Sequence, residues 1–260
     1  TDNGLLRDKK LRIGLSKSID KDQLISTLAN KVRVDTPLME LNQADWIYKP
    51  NLTEASGSFF DAGYTFPKDK DGKKLETEMF RKDSKGKLLE LNLLARNYDE
   101  GSPLKDETDK VVDYLIKVWE ANGVKINPKI LDEQEFLDAV QKRDYDIVLT
   151  GQNMGYNLDT FPYWHSSQTA GNGLNLSDYK SFAVDSLIEK IRSTFDVADK
   201  ESKLKQLAKI LADDVPAIIL YRSVYTFAND GKVKGIKLND MAFPNDRFAR
   251  IGEWCIECKQ

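Results

Sequence analysis

Residues 88–150 read LLELNLLARNYDEGSPLKDETDKVVDYLIKVWEANGVKINPKILDEQEFLDAVQKRDYDIVLT, and two periodicities alternate along them. The opening run, 88–95, is apolar and short, which predicts a buried strand. From residue 108 to 122, Val111, Val112, Leu115, Ile116 and Trp119 recur at helical spacing, and Asn122-Gly123 closes that helix as a C-cap. Residues 124–131 predict a second strand. Asp132-Glu133-Gln134-Glu135 then reads as a capping box for a helix through Phe136 and Val140. Residues 146–150 predict a third strand. Strand–helix–strand–helix–strand in this rhythm predicts α/β architecture: a mixed, mainly parallel sheet with right-handed crossovers and helices on its faces.

Ligands of open α/β sheets sit beyond the carboxyl ends of the strands. Two long loops start there. One is 96–103, with Arg96, Asn97 and Tyr98; the other is 151–176, which holds Gln152, Asn153, Tyr156, Asp159, Trp164 and the single histidine, His165. Long loops inside compact domains are usually functional. Aromatic faces beside a few amides and hydroxyls are what a small-molecule or peptide cleft needs. These nine residues are the candidate ligand-binding set. Asp159 has a competing reading as a turn-former bonding local amides, and Trp164 one as plain core.

Composition narrows the function. The 260 residues carry 39 basic and 42 acidic side chains, a net charge of -3, so no basic field points to nucleic acid. No apolar run approaches the ~20 residues of a membrane span, and any membrane association is indirect. Thr1 follows no leader, which reads as a processed or trimmed chain. Cys255-Ile256-Glu257-Cys258 lacks the second ligand pair of a zinc site, and it reads as a surface pair open to oxidation outside the cytosol. One histidine with scattered carboxylates gives no metal spacing, and neither a phosphate loop nor a cofactor motif occurs. A hydrolase using His165 and Ser166 is the catalytic alternative. It lacks a Gly-x-Ser-x-Gly elbow, and adjacent residues rarely form a relay.

The flanks complete the pattern. Residues 5–19 predict a helix with Leu11, Leu15 and Ile19, and Asp20-Lys21-Asp22-Gln23 caps a second through Leu24, Ile25 and Leu28. Residues 35–50 predict a loop. Residues 51–62 predict a helix with Phe59 and Phe60 on its apolar side, stopped by Gly63. The charged stretch 68–87 predicts a solvated β-hairpin. Helices are expected over 177–195 and 198–212, strands over 217–228 and 233–238, and a turn at Asp230-Gly231.

Six collinear segments between Leu11 and Tyr221 carry a resemblance. Leu11-Arg12-Ile13-Gly14-Leu15-Ser16 through Asp20 and Leu24-Ile25 resembles the "R-x-A-L-S-x-A-I-D-R-x-x-L-I" segment of the family 5 extracellular solute-binding proteins. Phe59-Phe60-Asp61-Ala62-Gly63-Tyr64 is similar to their "L-L-x-x-A-G-Y". Trp119 through Ile126, Phe136 through Ile147, 161–179, and Asp214-Val215-Pro216-Ala217-Ile218-Ile219-Leu220-Tyr221 resemble further landmarks in order.

The resemblance implies a type II periplasmic-binding-protein lobe and no enzymatic activity. It implies the substrate-binding subunit of an ABC importer, which captures peptides or a similar small solute between two lobes outside the cytoplasm and docks on ABC permease subunits. It also implies a fragment: 1–220 as the second, ligand-binding lobe and 221–260 as a return segment that would join a first lobe. An interaction or signalling module on the same lobe is the non-transport alternative. Many family members place an acid shortly after the Tyr-Asp strand for a peptide's α-ammonium. Here Gly151-Gln152-Asn153-Met154-Gly155 stands in that place, with no acid before Asp159.

Overall fold

A computed structural model describes residues 4–38, 46–152, 159–238 and 243–256. In chain order the elements are α1 (Lys9–Lys17), α2 (Lys21–Ser26), β1 (Lys31–Arg33), α3 (Leu52–Asp61), β2 (Glu90–Arg96), α4 (Pro103–Ala121), β3 (Lys125–Leu131), α5 (Glu133–Lys142), β4 (Ile147–Val148), α6 (Phe161–Trp164), α7 (Phe182–Ser193), α8 (Val197–Asp214), β5 (Tyr221–Ser223), β6 (Val233–Lys234) and β7 (Cys255–Ile256). The expected parallel sheet is present, in the order β3-β2-β4. β1 pairs antiparallel with β5, and β6 with β7.

Alternation along β2 sets the two layers. Leu91, Leu93 and Ala95 face a core built with Leu11, Leu15, Phe59, Val112 and Trp119 from α1, α3 and α4. Leu94 faces the other way, against Phe136, Ala139 and Tyr145. Trp119 is 2 % exposed and its indole N–H donates to Leu15 O at 3.0 Å, so the ring packs without an orphaned donor. Gly14 lets α1 lie on α3, because a Cβ there would stand 2.5 Å from the Phe59 ring. A separate helical core joins α7 and α8 through Val184, Ile188, Leu207 and Leu211, with Leu38 and Trp164 closing it.

Several expectations need correction. α4 begins at Pro103, five residues before the expected start at 108, because Ser102 caps the Leu104 N–H and proline suits the first helical turn. Only Phe59 of the Phe59-Phe60 pair is inside; Phe60 is 64 % exposed, since neighbouring helix positions point about 100° apart. The 68–87 stretch forms isolated bridges, Lys68 with Lys74 and Lys82 with Leu88, rather than a regular hairpin. α7 starts at Phe182, capped by Ser181, and not at 177. Helix 5–19 divides at Asp8, whose carboxylate caps α1. The strand expected over 217–228 shortens to β5.

Lys21 is the most buried cation of the first helices, at 4 % exposure. Its Nζ donates to Val34 O at 2.7 Å, lies 3.7 Å from Asp35 and sits over the Tyr48 ring. Burial, offset in part by Asp35, brings its pKa from the ordinary 10.5 down to about 8. Between those values the unfolded chain holds a proton that the folded chain has released, so stability rises with pH there. We expect the stability difference between the unsubstituted chain and Lys21→Met to move in favour of the unsubstituted chain by about 1–2 kcal/mol from pH 8 to 10. Urea titrations of both chains at stepped pH check it; a difference that does not change with pH contradicts the burial argument.

Candidate functional site

The register of β2 with β3 and β4 brings Arg96, Leu131 and Val148 to the same edge of the sheet. Both long loops leave from that edge. Arg96 donates to Glu133 Oε2 at 2.7 Å and lays its guanidinium 4.7 Å from the Tyr98 ring centre. The Asn97 backbone N–H is spent on Leu131 O, while the residue itself is exposed. On the second loop Gly151 and Gln152 are exposed beside β4. Asn153 and Tyr156 lie outside the described residues.

The β1–β5 ribbon is tied beside the first loop by a cluster the sequence did not announce. Lys31 Nζ stands 2.7 Å from Glu107 Oε2 and donates to Ser223 Oγ at 2.8 Å, and the Tyr221 hydroxyl donates to Glu107 Oε1 at 2.8 Å. Burial, then the bond to Glu107, pushes the Tyr221 phenol well up from its ordinary range. Lys31, Glu107 and Tyr221 are far apart in sequence and share no period, so only the fold unites them.

Farther along, the second loop turns onto α7. Asp159 accepts from the Phe161 N–H at 3.1 Å and meets Arg192 Nε at 3.4 Å, and Arg192 stacks over the Phe161 ring. It therefore does what a turn-former does. Trp164, a candidate ligand residue with a competing reading as plain core, is 5 % exposed and packs with α7 and α8. The His165 ring stacks on Phe161 at 4.3 Å, its Nδ1 accepts from the Ser167 N–H, and its Nε2 lies 3.5 Å from Glu189 Oε1. Ser166 gives both its N–H and its hydroxyl to Asp185, at 2.8 and 2.5 Å. His165 thus caps a 3-10 turn, Ser166–Gln168, and Ser166 is bound to a carboxylate instead of a base. The hydrolase arrangement is not formed.

Three scaffold residues escaped the sequence reading. Arg143, in the left-handed region at φ 57°, donates to Thr169 O and Gly173 O. The Tyr145 hydroxyl donates to Leu176 O at 2.9 Å. Asn175 is fully buried: its Nδ2 donates to His165 O and Tyr179 O, and its Oδ1 accepts from Ser177 Oγ and the Tyr179 N–H. The left-handed end of α5 is the one hint a sequence could carry, and it falls on arginine rather than glycine or asparagine. Among the described residues no group of three or more His, Cys, Asp or Glu could hold a metal ion. Nor is any described helix long and apolar enough to cross a membrane. Cys255 is disulfide-bonded; Cys258 lies outside the described residues.

The sequence pattern of the "Bacterial extracellular solute-binding proteins, family 5 Middle" matches residues 1–173. The oligopeptide-binding protein AppA of Bacillus subtilis is 22% identical over 273 residues, covering 97% of this chain and 45% of that protein. The structure of AppA with a nonapeptide superposes at a TM-score of 0.73 and 18% identity, over 99% of this chain and 49% of that one. NikZ from Campylobacter jejuni, solved with Ni(L-His), gives a TM-score of 0.73 at 24% identity, over 97% and 50% of the two chains. The architecture is thus that of a type II periplasmic binding protein, and the chain spans about half the length of the relatives it matches.

Proposed function

Because this chain belongs to the bacterial extracellular solute-binding proteins of family 5, we propose that it is the second lobe and return segment of an ABC importer's substrate-binding subunit. It captures peptides, or a solute of similar size, outside the cytoplasm and hands them to permease subunits without covalent chemistry. Residues 1–220 form the ligand-binding lobe and 221–260 the segment that rejoins the first lobe. The observation that carries this reading is the shared edge: the loops after β2 and β4 leave side by side, with Asn97 and Gln152 exposed.

The chemistry at that edge favours a ligand held by its backbone. Asp159, the first acid after β4, is occupied by the Phe161 N–H and Arg192. It is poorly placed to receive a free α-ammonium. Exposed amides such as Asn97 and Gln152 suit peptide groups, and such contacts leave side chains loosely specified. The relatives solved with a nonapeptide and with Ni(L-His) show that this fold accommodates both peptides and small chelates; the amide-rich edge supports the peptide class here. Mass spectrometry of solute released by denaturing the full-length protein, purified without refolding, tests it. We expect a pool of oligopeptides with no strict sequence. A single defined non-peptide solute contradicts the peptide class, and absence of any solute that copurifies or binds contradicts capture.

A further inference from the structure

The outer face of α3 exposes apolar side chains to solvent. Ala55 and Phe59 bury the inner face of this helix, whereas Leu52, Ser56 and Phe60 form a stripe at i, i+4 and i+8 on the outside. Leu52 and Phe60 are 59 % and 64 % exposed. Small residues at Ser56 and Gly57 leave the middle of the stripe low, and a Cβ added at Gly57 would meet nothing within 4 Å. The segment after α3 rises beside it and supplies Phe66, Lys68, Lys74 and Arg81, so that stripe and segment enclose one open groove.

The charge in this groove is one-sided. Its lining includes Lys68, Lys74 and Arg81 and no carboxylate. Arg81 is 4 % exposed, yet its guanidinium donates only to neutral acceptors, Asn122 O, Tyr64 O and Ser56 Oγ, between the Phe59 and Phe66 rings. Lys74 lies 3.6 Å over the Phe66 ring. None of the three cations has an ion-pair partner among the described residues. A buried cation is normally paired with an anion, and Arg81 lines an open groove beside two exposed lysines. The groove is open along its length and would leave a small solute largely in water, whereas a segment already carried by a partner protein would not need full burial.

We propose that this groove docks an acidic, apolar segment of a partner protein, with carboxylates over Lys68, Lys74 and Arg81 and an apolar side chain against Leu52 and Phe60. It is distinct from the solute-binding edge of the sheet and independent of what that edge binds.

The test is fluorescence anisotropy with the 260-residue chain and a rhodamine-labelled, N-acetylated hexapeptide alternating glutamate with leucine and phenylalanine. A glutamine-for-glutamate counterpart is the comparison probe. We expect the acidic probe to bind about ten-fold tighter at low salt, a preference lost as salt screens the groove. Lys68→Glu with Lys74→Glu should abolish that preference, and Phe60→Ser should weaken both probes by about ten-fold. All three side chains are exposed, so circular dichroism should be unchanged. Asn97→Ala with Gln152→Ala, at the solute edge, should leave binding of the acidic probe intact. Equal binding of the two probes overturns the proposal, as does loss of binding only in the edge variant. Preference for anionic vesicles over the probe, or self-association abolished by Phe60→Ser, would assign the groove to a lipid surface or a second copy and overturn it too.

Discussion

Asn175→Ala is expected to cost about 3 kcal/mol or more of stability and to release the segment between His165 and Tyr179. The side chain is fully buried and makes four hydrogen bonds, two donated and two accepted. Alanine removes all of them at once: the Tyr179 carbonyl and N–H lose their partner, whereas His165 O keeps the Gln168 N–H and the exposed Ser177 hydroxyl can turn to water. Each orphaned buried group costs about 1–3 kcal/mol, because water cannot replace what was lost. Asn175→Asp is the informative companion: it keeps the acceptor but turns both donors into repulsive lone pairs facing the carbonyls of His165 and Tyr179. Ser177→Ala removes one of the four bonds, and should cost no more than about 1.5 kcal/mol. Urea denaturation gives the energies, and amide exchange over 165–179 locates the loss. If Asn175→Ala behaves like Ser177→Ala, the buried network is not what holds this segment.

That network shows where sequence reading reaches its limit. The sheet was legible because β2, α4, β3, α5 and β4 each carry their own period and caps, and the signals agree with one another. Ser102-Pro103 was a start signal too, but Pro103 stands eight residues ahead of Val111, where the apolar repeat begins, and the periodicity hid it. Phe59-Phe60 looked like one apolar patch, but the two positions point about 100° apart and α3 turns only Phe59 to the core. The partners of Asn175, Arg143 and the Lys31–Glu107–Tyr221 cluster meet through the tertiary fold, and no local pattern encodes such meetings. Asp159 and Trp164 each had two readings in the sequence. In the structure Asp159 bonds the Phe161 N–H and meets Arg192, and Trp164 packs under α7 and α8.

The candidate site follows the same division. Topology placed two loops at one edge without reference to any single contact, and that placement survives in the pairing of β2 with β3 and β4. Which side chains face a ligand is a finer matter. Of the nine candidates, Asn97 and Gln152 are exposed at the edge, and Arg96 and Tyr98 stack on each other. Asp159, Trp164 and His165 are drawn toward α7. Short polar side chains on an exposed loop gain little from the interior, so their direction is set by local bonds that a single sequence does not display.

On the proposal made above, this chain supplies only part of a solute site. A two-lobed receptor closes about a hinge, with each lobe covering one side of the ligand. High affinity requires most of the ligand surface to be buried, and one lobe by itself would offer only an open shelf. Association still costs at least ~4 kcal/mol in lost translational and rotational freedom, whatever contacts remain. Halving the contacts while that cost stays fixed should weaken binding by about 100-fold or more. The direct test is calorimetric titration of the 260-residue chain and of the full-length receptor with the same oligopeptide, taken from those released by the full-length protein. The account predicts tight binding by the full-length receptor and heats indistinguishable from dilution, or affinity at least about 100-fold weaker, for the chain. Equal affinities would show that this lobe holds a complete site, and would contradict closure between two lobes as the source of binding.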